Sequence, residues 1–182
     1  MKKRILSLLA SVAMLCGLAM LAPASAVAAP YCGIYWGSLP ESASGMSSAQ
    51  IENLRTGRHA CFDRLVVDLE GDVSGYSVTY VHRVSELGSG FAVPLRGGAD
   101  LEILVHAPAY DADFHATYSP RHPSHAVDVD GYRTFRQVAF SGSFEGQTLI
   151  GLGVRARLPM RVFTLDGPGD GSRLVIDVAH RW

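Results

Sequence analysis

The sequence predicts an all-β fold, an antiparallel β-sandwich or closely related barrel, on three observations. About eight short segments alternate apolar and polar residues or are rich in β-branched ones, as strands do. No stretch sustains an apolar period of 3.6 residues, which a core-facing helix would need. One strand-like stretch also occurs twice: Arg64-Leu65-Val66-Val67-Asp68-Leu69 returns as Arg173-Leu174-Val175-Ile176-Asp177-Val178.

In the first copy Leu65, Val67 and Leu69 share one face while Arg64, Val66 and Asp68 share the other, and the second copy repeats this division. One face suits a core; the other must satisfy a cation and an anion. If the copies are antiparallel neighbours with Val66 opposite Val175, Arg64 faces Asp177 and Asp68 faces Arg173, two opposite-charge pairs. A parallel arrangement would oppose like charges. The alternative is that the two strands share a pattern without being neighbours.

Residues 1–29 read as a secretory signal peptide: Lys2, Lys3 and Arg4 form a basic head, residues 5–21 are nearly all apolar, and small residues follow. Ala24-Ser25-Ala26 and Ala26-Val27-Ala28 place cleavage between Ala26 and Ala29. An uncleaved anchor is the alternative, since a spanning helix needs about 20 apolar residues. Met14-Leu15 before Cys16 argues against lipidation. Cleavage removes both lysines, leaving arginine-only cations outnumbered by the 17 acidic residues. That balance argues against a nucleic-acid partner, and membrane contact is expected only through the leader. The expected location is extracellular, secreted or attached to the cell wall.

Cys32 and Cys61 then remain as an even pair, and in an exported protein they predict a disulfide. It would tie an N-terminal segment, residues 30–50, to the domain that occupies residues 51–182. Residues 37–48, rich in Ser, Gly, Ala and Pro, predict a surface loop. Residues 50–55 read as a weak strand or a short helix, with room for one helix within 47–54. Residues 62–69 and 76–81 are strands, the second with Tyr76, Val78 and Tyr80 toward the core. Further strands are expected at 91–95, 101–106, 133–140, 144–154 and 158–165, and the second copy of the repeat closes the chain. Residues 107–132, with Pro108, Pro120 and Pro123 and histidines at 115, 122 and 125, predict a long excursion.

Chemistry is sparse. Neither Gly88-Ser89-Gly90 nor Gly142-Ser143 forms a nucleophile elbow, and a disulfide would occupy both cysteines, so no enzyme activity and no cofactor are expected. Asp128-x-Asp130-Gly131 is only a fragment of a calcium loop, and the loop histidines lack zinc-type spacing; no metal is expected. The arginines are more suggestive. Arg155 and Arg157 lie two apart on a predicted strand, with Arg133 and Arg136 on another and Arg161 after Pro159. Guanidinium groups can hold carboxylates or phosphates bidentately. Phe144-Glu145-Gly146-Gln147 combines a ring, a carboxylate and an amide as a shallow sugar site does; it could equally be a tight turn between strands.

Gly57-Arg58-His59, Cys61 to Leu69, Gly142 to Gln147, Gly151-Leu152-Gly153, Pro159-Met160-Arg161-Val162-Phe163 and Ser172 to Asp177, in this order, resemble the AMIN-like domain proteins of actinobacteria. The resemblance runs from about Ile51 to His180. It implies a β-sandwich related to the AMIN domains found beside cell-wall amidases and in secretins, which associate with peptidoglycan and direct their hosts to the envelope. It implies no catalysis. The expected function is therefore noncatalytic binding of a cell-wall polymer, or envelope localisation. The alternative is a secreted structural or protein-interaction domain, with an envelope protein as partner. The resemblance carries over no site residues; Arg133, Arg136, Phe144, Glu145, Arg155, Arg157 and Arg161 are candidates from their own chemistry.

Overall fold

A computed structural model describes residues 30–182, so the expected leader at residues 1–29 lies outside the described residues. Nine strands follow in order: β1 (Glu41–Ala43), β2 (Gln50–Arg58), β3 (Phe62–Glu70), β4 (Tyr76–Val81), β5 (Ala99–Val105), β6 (Phe135–Phe144), β7 (Gln147–Val154), β8 (Met160–Asp166) and β9 (Ser172–Ala179). They form two antiparallel sheets, a five-stranded one in the order β1-β4-β5-β7-β6 and a four-stranded one in the order β2-β3-β9-β8. The only helical element among the described residues is a 3-10 turn, Pro123–His125. The protein is an antiparallel sandwich.

The doubled stretch supplies β3 and β9, and these are neighbours in the anticipated register: Arg64 pairs with Asp177, Val66 with Val175 and Asp68 with Arg173. Leu65, Val67, Leu69, Leu174, Ile176 and Val178 point inward and are essentially fully buried. They meet Leu101, Ile103, Ile150, Leu152 and Val154 from the other sheet, so alternation at period two builds a single core.

The room for a helix at residues 47–54 is taken by β2. Ile51 and Leu54, three apart, are both buried, a spacing that suits a helix face. In β2 a bulge between Ile51 and Asn53 inserts one extra residue, so Ile51 still opposes Leu69 and Leu54 opposes Val67.

Residues 91–95 do not form a strand. An isolated bridge joins Ser85 to Ala92, and the chain then crosses the outer face of β7. Gly151 and Gly153 make room for it: a Cβ on Gly151 would lie 3.1 Å from Leu95, and one on Gly153 would collide with the Arg96 carbonyl. Gln137 locks the crossing by accepting from Arg96 N at 2.9 Å. The bonding capacity of this segment goes back to residues 84–89 and to Gln137 rather than to a sheet ladder. The expected excursion is present between β5 and β6. It buries Ala107, Ala109 and Val129 against the core, and Ala126 N donates to Val138 O, covering part of the β6 edge.

Candidate functional site

The sequence candidates fall in four places. Arg161, on β8, is engaged on the outer face of the four-stranded sheet. Its Nε donates to Asp177 Oδ2 at 2.8 Å and its Nη2 lies 2.7 Å from the same oxygen as an ion pair, while Arg64 donates to the same carboxylate at 2.6 and 2.9 Å. Asp177 is fully buried. Around it Phe62 and Phe163 flank both guanidinium groups, Trp36 lies 5.5 Å from Arg161, and His59 stacks on Phe62. Two partly buried cations on one buried carboxylate, flanked by rings, are a structural cluster. The second anticipated cross-strand charge pair is rearranged. Asp68 accepts instead from Arg55 of β2 at 2.8 Å, and Arg173 donates to the Asp166 carbonyl.

Arg155 and Arg157 do not share a strand, because β7 ends at Val154. Arg155 donates to the His180 carbonyl at 2.7 Å; Arg157 donates to the Ser38 carbonyl at 3.0 Å and lies over Tyr80. Burial of the Tyr80 phenol raises its pKa, and its hydroxyl bridges Leu158 N and O. Arg136 is turned back on its own chain, donating to the carbonyls of Tyr132, Arg133 and Phe135. It stiffens the entry to β6.

Arg133 and Arg155 do come together. With Arg181, Tyr31 and His180 they line one open groove at the end of the sandwich where β7 and β9 finish. Arg181 lies 4.6 Å from the centre of the Tyr31 ring. Among the described residues none of these three arginines pairs with a carboxylate. The groove's floor is rigid. Asp63, 1% exposed, accepts from Thr134 N at 2.5 Å and pairs with His180 Nε2 at 3.1 Å. His180 and Arg181 carried no signal in the sequence, because they follow the last strand and belong to no motif.

Phe144 and Glu145 lie at the opposite end of β7. Glu145 (φ 50°) and Gly146 (φ 77°) form the two-residue turn of the β6–β7 hairpin, so the tight-turn reading holds at the backbone level. Phe144 nevertheless remains 50% exposed. Beside it Tyr110 stacks on Phe114 with centroids 5.7 Å apart, and Gly146 N donates to the Tyr110 hydroxyl at 3.0 Å. Phe114 is 81% exposed and held at φ 62°, a conformation that costs a residue with Cβ roughly 1 kcal/mol. Asp111 fixes this loop: its Oδ1 accepts from the backbone N–H of Asp113 and His115. The His115 N–H is the main cause of the lowered Asp111 pKa. His115 thus serves this tip, while His125 bonds Ser124; among the described residues no cluster of metal-ligand type contains two of the loop histidines.

Cys32 and Cys61 form the expected disulfide, with Cα atoms 6.4 Å apart. Comparison with known proteins finds that a family model described as AMIN-like domain matches residues 49–180. No curated protein and no solved structure matches the chain.

Proposed function

The chain belongs to the AMIN-like domain family, and from that premise we propose an exported, noncatalytic domain that binds cell-wall material through the arginine groove. The observation that carries this reading is the convergence of Arg133, Arg155 and Arg181 on one open groove beside Tyr31, with no carboxylate among the described residues paired to any of them. A surface that holds cations together without anions is organised for an anionic ligand. Cell-wall polymers carry carboxylates and phosphates, and guanidinium forks bind both in bidentate fashion. Asp63 and His180 hold the floor still, which lowers the ordering cost of binding. The disulfide is consistent with an oxidising, extracellular setting.

The test is co-sedimentation of the purified protein with insoluble cell-wall sacculi. The expected result is saturable pelleting that Arg133→Glu combined with Arg155→Glu weakens more than tenfold, since charge-assisted bonds contribute about 1.5–3 kcal/mol each. Arg83→Glu combined with Arg121→Glu, both exposed and outside the groove, serves as the charge-matched control. Pelleting no greater than that of an unrelated protein would sink the reading, as would pelleting indifferent to the groove substitutions.

A second reading is a protein-interaction domain. It is favoured by β8, an edge strand with half-buried Val162 and Phe163 and exposed Thr164 and Leu165, which could accept a strand from an envelope protein. A pulldown from envelope fractions that depends on β8 and not on the groove would select it.

A further inference from the structure

Four of the large apolar side chains that remain exposed belong to segments meeting at the pole opposite the arginine groove: Met46, Phe91, Phe114 and Phe144. Separate contacts knit this pole together. Gly146 N bonds the Tyr110 hydroxyl, Gly88 of the 86–91 loop abuts the Phe144 ring, and Met46 Cε reaches Gly146. The rings therefore sit on braced tips. The charged groups on these tips are Glu86, Asp111, Asp113 and Glu145, together with His115, whose ring faces Asp111.

We propose that Phe144 and the stacked Tyr110–Phe114 pair form a platform for the uncharged sugar rings of a glycan strand. This rests on the wall-binding reading and names the part of the polymer that this pole takes. Three features argue for a sugar. Exposed aromatic faces, electron-rich at their centres, attract the C–H-bearing face of a pyranose. The surrounding carboxylates accept hydrogen bonds and suit a ligand rich in hydroxyl donors. The same carboxylates repel phosphate-bearing polymers and anionic lipid surfaces, so this pole does not duplicate the arginine groove. The backbone points the same way. A phenylalanine held at φ 62° with four-fifths of its surface in water is unfavourable for folding on both counts, as binding residues often are.

The two poles are the two ends of β7, about 25 Å apart along an eight-residue strand. Arginines at one end would take anionic groups while rings at the other take the sugar backbone. One polymer could then engage both.

The test is an NMR titration of the purified protein with a β-1,4-linked N-acetylglucosamine hexamer, which carries no peptide, phosphate or net charge. Saturable shifts at Tyr110, Phe114 and Phe144 are expected. Phe114→Ala with Phe144→Ala should weaken binding at least tenfold, while Arg133→Glu with Arg155→Glu should leave it unchanged. Phe114→Gly should lose affinity without lowering the thermal midpoint, which separates a binding role from a folding role. No saturable shift, shifts confined to the arginine pole, or a lowered midpoint for Phe114→Gly would overturn the proposal. So would binding to neutral phosphatidylcholine vesicles in place of the hexamer. Hexamer binding that persists while sacculus binding ignores the arginine substitutions would uphold the platform and remove the groove.

Discussion

Asp177 concentrates the electrostatics of the four-stranded sheet on one carboxylate. It is fully buried, accepts three hydrogen bonds from Arg64 and Arg161 and forms an ion pair with each, so desolvation is compensated only while both cations stay in place. Asp177→Ala should destabilise the protein by about 3 kcal/mol, because it strands two partly buried guanidinium groups; equilibrium urea unfolding measures this. Arg64 and Arg161 replaced by methionine together with Asp177→Leu should cost less than Asp177→Ala alone, since no unpaired charge remains. An equal or greater loss would show that the rings, and not the ion cluster, hold the face together. Arg161 is thereby accounted for as framework. A binding role for it would need the cluster to open.

At the scale of the strand, the bulge in β2 decides which side chains reach the core. Ile51 and Leu54 both face inward only because Glu52 and Asn53 together occupy the space of one residue opposite β3. Deleting Glu52 would remove the bulge and leave Ile51 and Leu54 two apart, so plain alternation keeps both inward, opposite Leu69 and Val67. The expected loss is therefore well below the roughly 2–3 kcal/mol that exposing one large aliphatic side chain costs. A deletion variant destabilised by that full amount would show that the strand does not regain plain alternation when the bulge is removed. On the other sheet Gly151 and Gly153 act comparably by omission, since the bare outer face of β7 seats residues 95 and 96. Both devices leave the strand pattern readable and change what the pattern means. A three-residue spacing in β2 resembled a helix, and an apolar run at residues 91–95 resembled a strand.

Over the whole molecule, the two ends of β7 carry opposite chemistry, cationic at Arg155 and aromatic with carboxylates at Phe144. The N-terminal segment is fastened separately. Trp36 packs on Phe62, Gly37 bridges Met160, and the disulfide ties Cys32 to Cys61 across 29 residues. Tyr31, beside Cys32, belongs to the arginine groove, so the bridge holds one wall of the candidate site as well as the chain end. Replacing both cysteines by alanine should lower stability by about 3 kcal/mol through the freed loop. It should also weaken sacculus binding, because Tyr31 and Arg181 lose their alignment. Unfolding curves with co-sedimentation check both; a variant that loses stability yet binds normally would remove Tyr31 from the site.

Several features were legible in the residues themselves. Alternation at period two specified the sandwich, and the doubled Arg-Leu-Val-x-Asp stretch specified not only two strands but their partnership and register. Its apolar faces had to be buried, and one of its cross-strand charge pairs, Arg64 with Asp177, is formed as drawn. The even cysteine pair specified the disulfide. Only the tertiary structure decided which arginines meet. Arg155 and Arg157, two apart in sequence, bind different neighbours, whereas Arg133, Arg155 and Arg181 converge from three segments. It also transferred Asp68 from Arg173 to Arg55, and it joined Tyr110 and Phe114 to Phe144 across loops distant in the chain. The physical reason is the same in each case. Strand identity follows from local alternation, which a sequence displays directly, but a site depends on which loop ends are neighbours in space, and that is settled by sheet order and by the bulges and glycines that steer the loops.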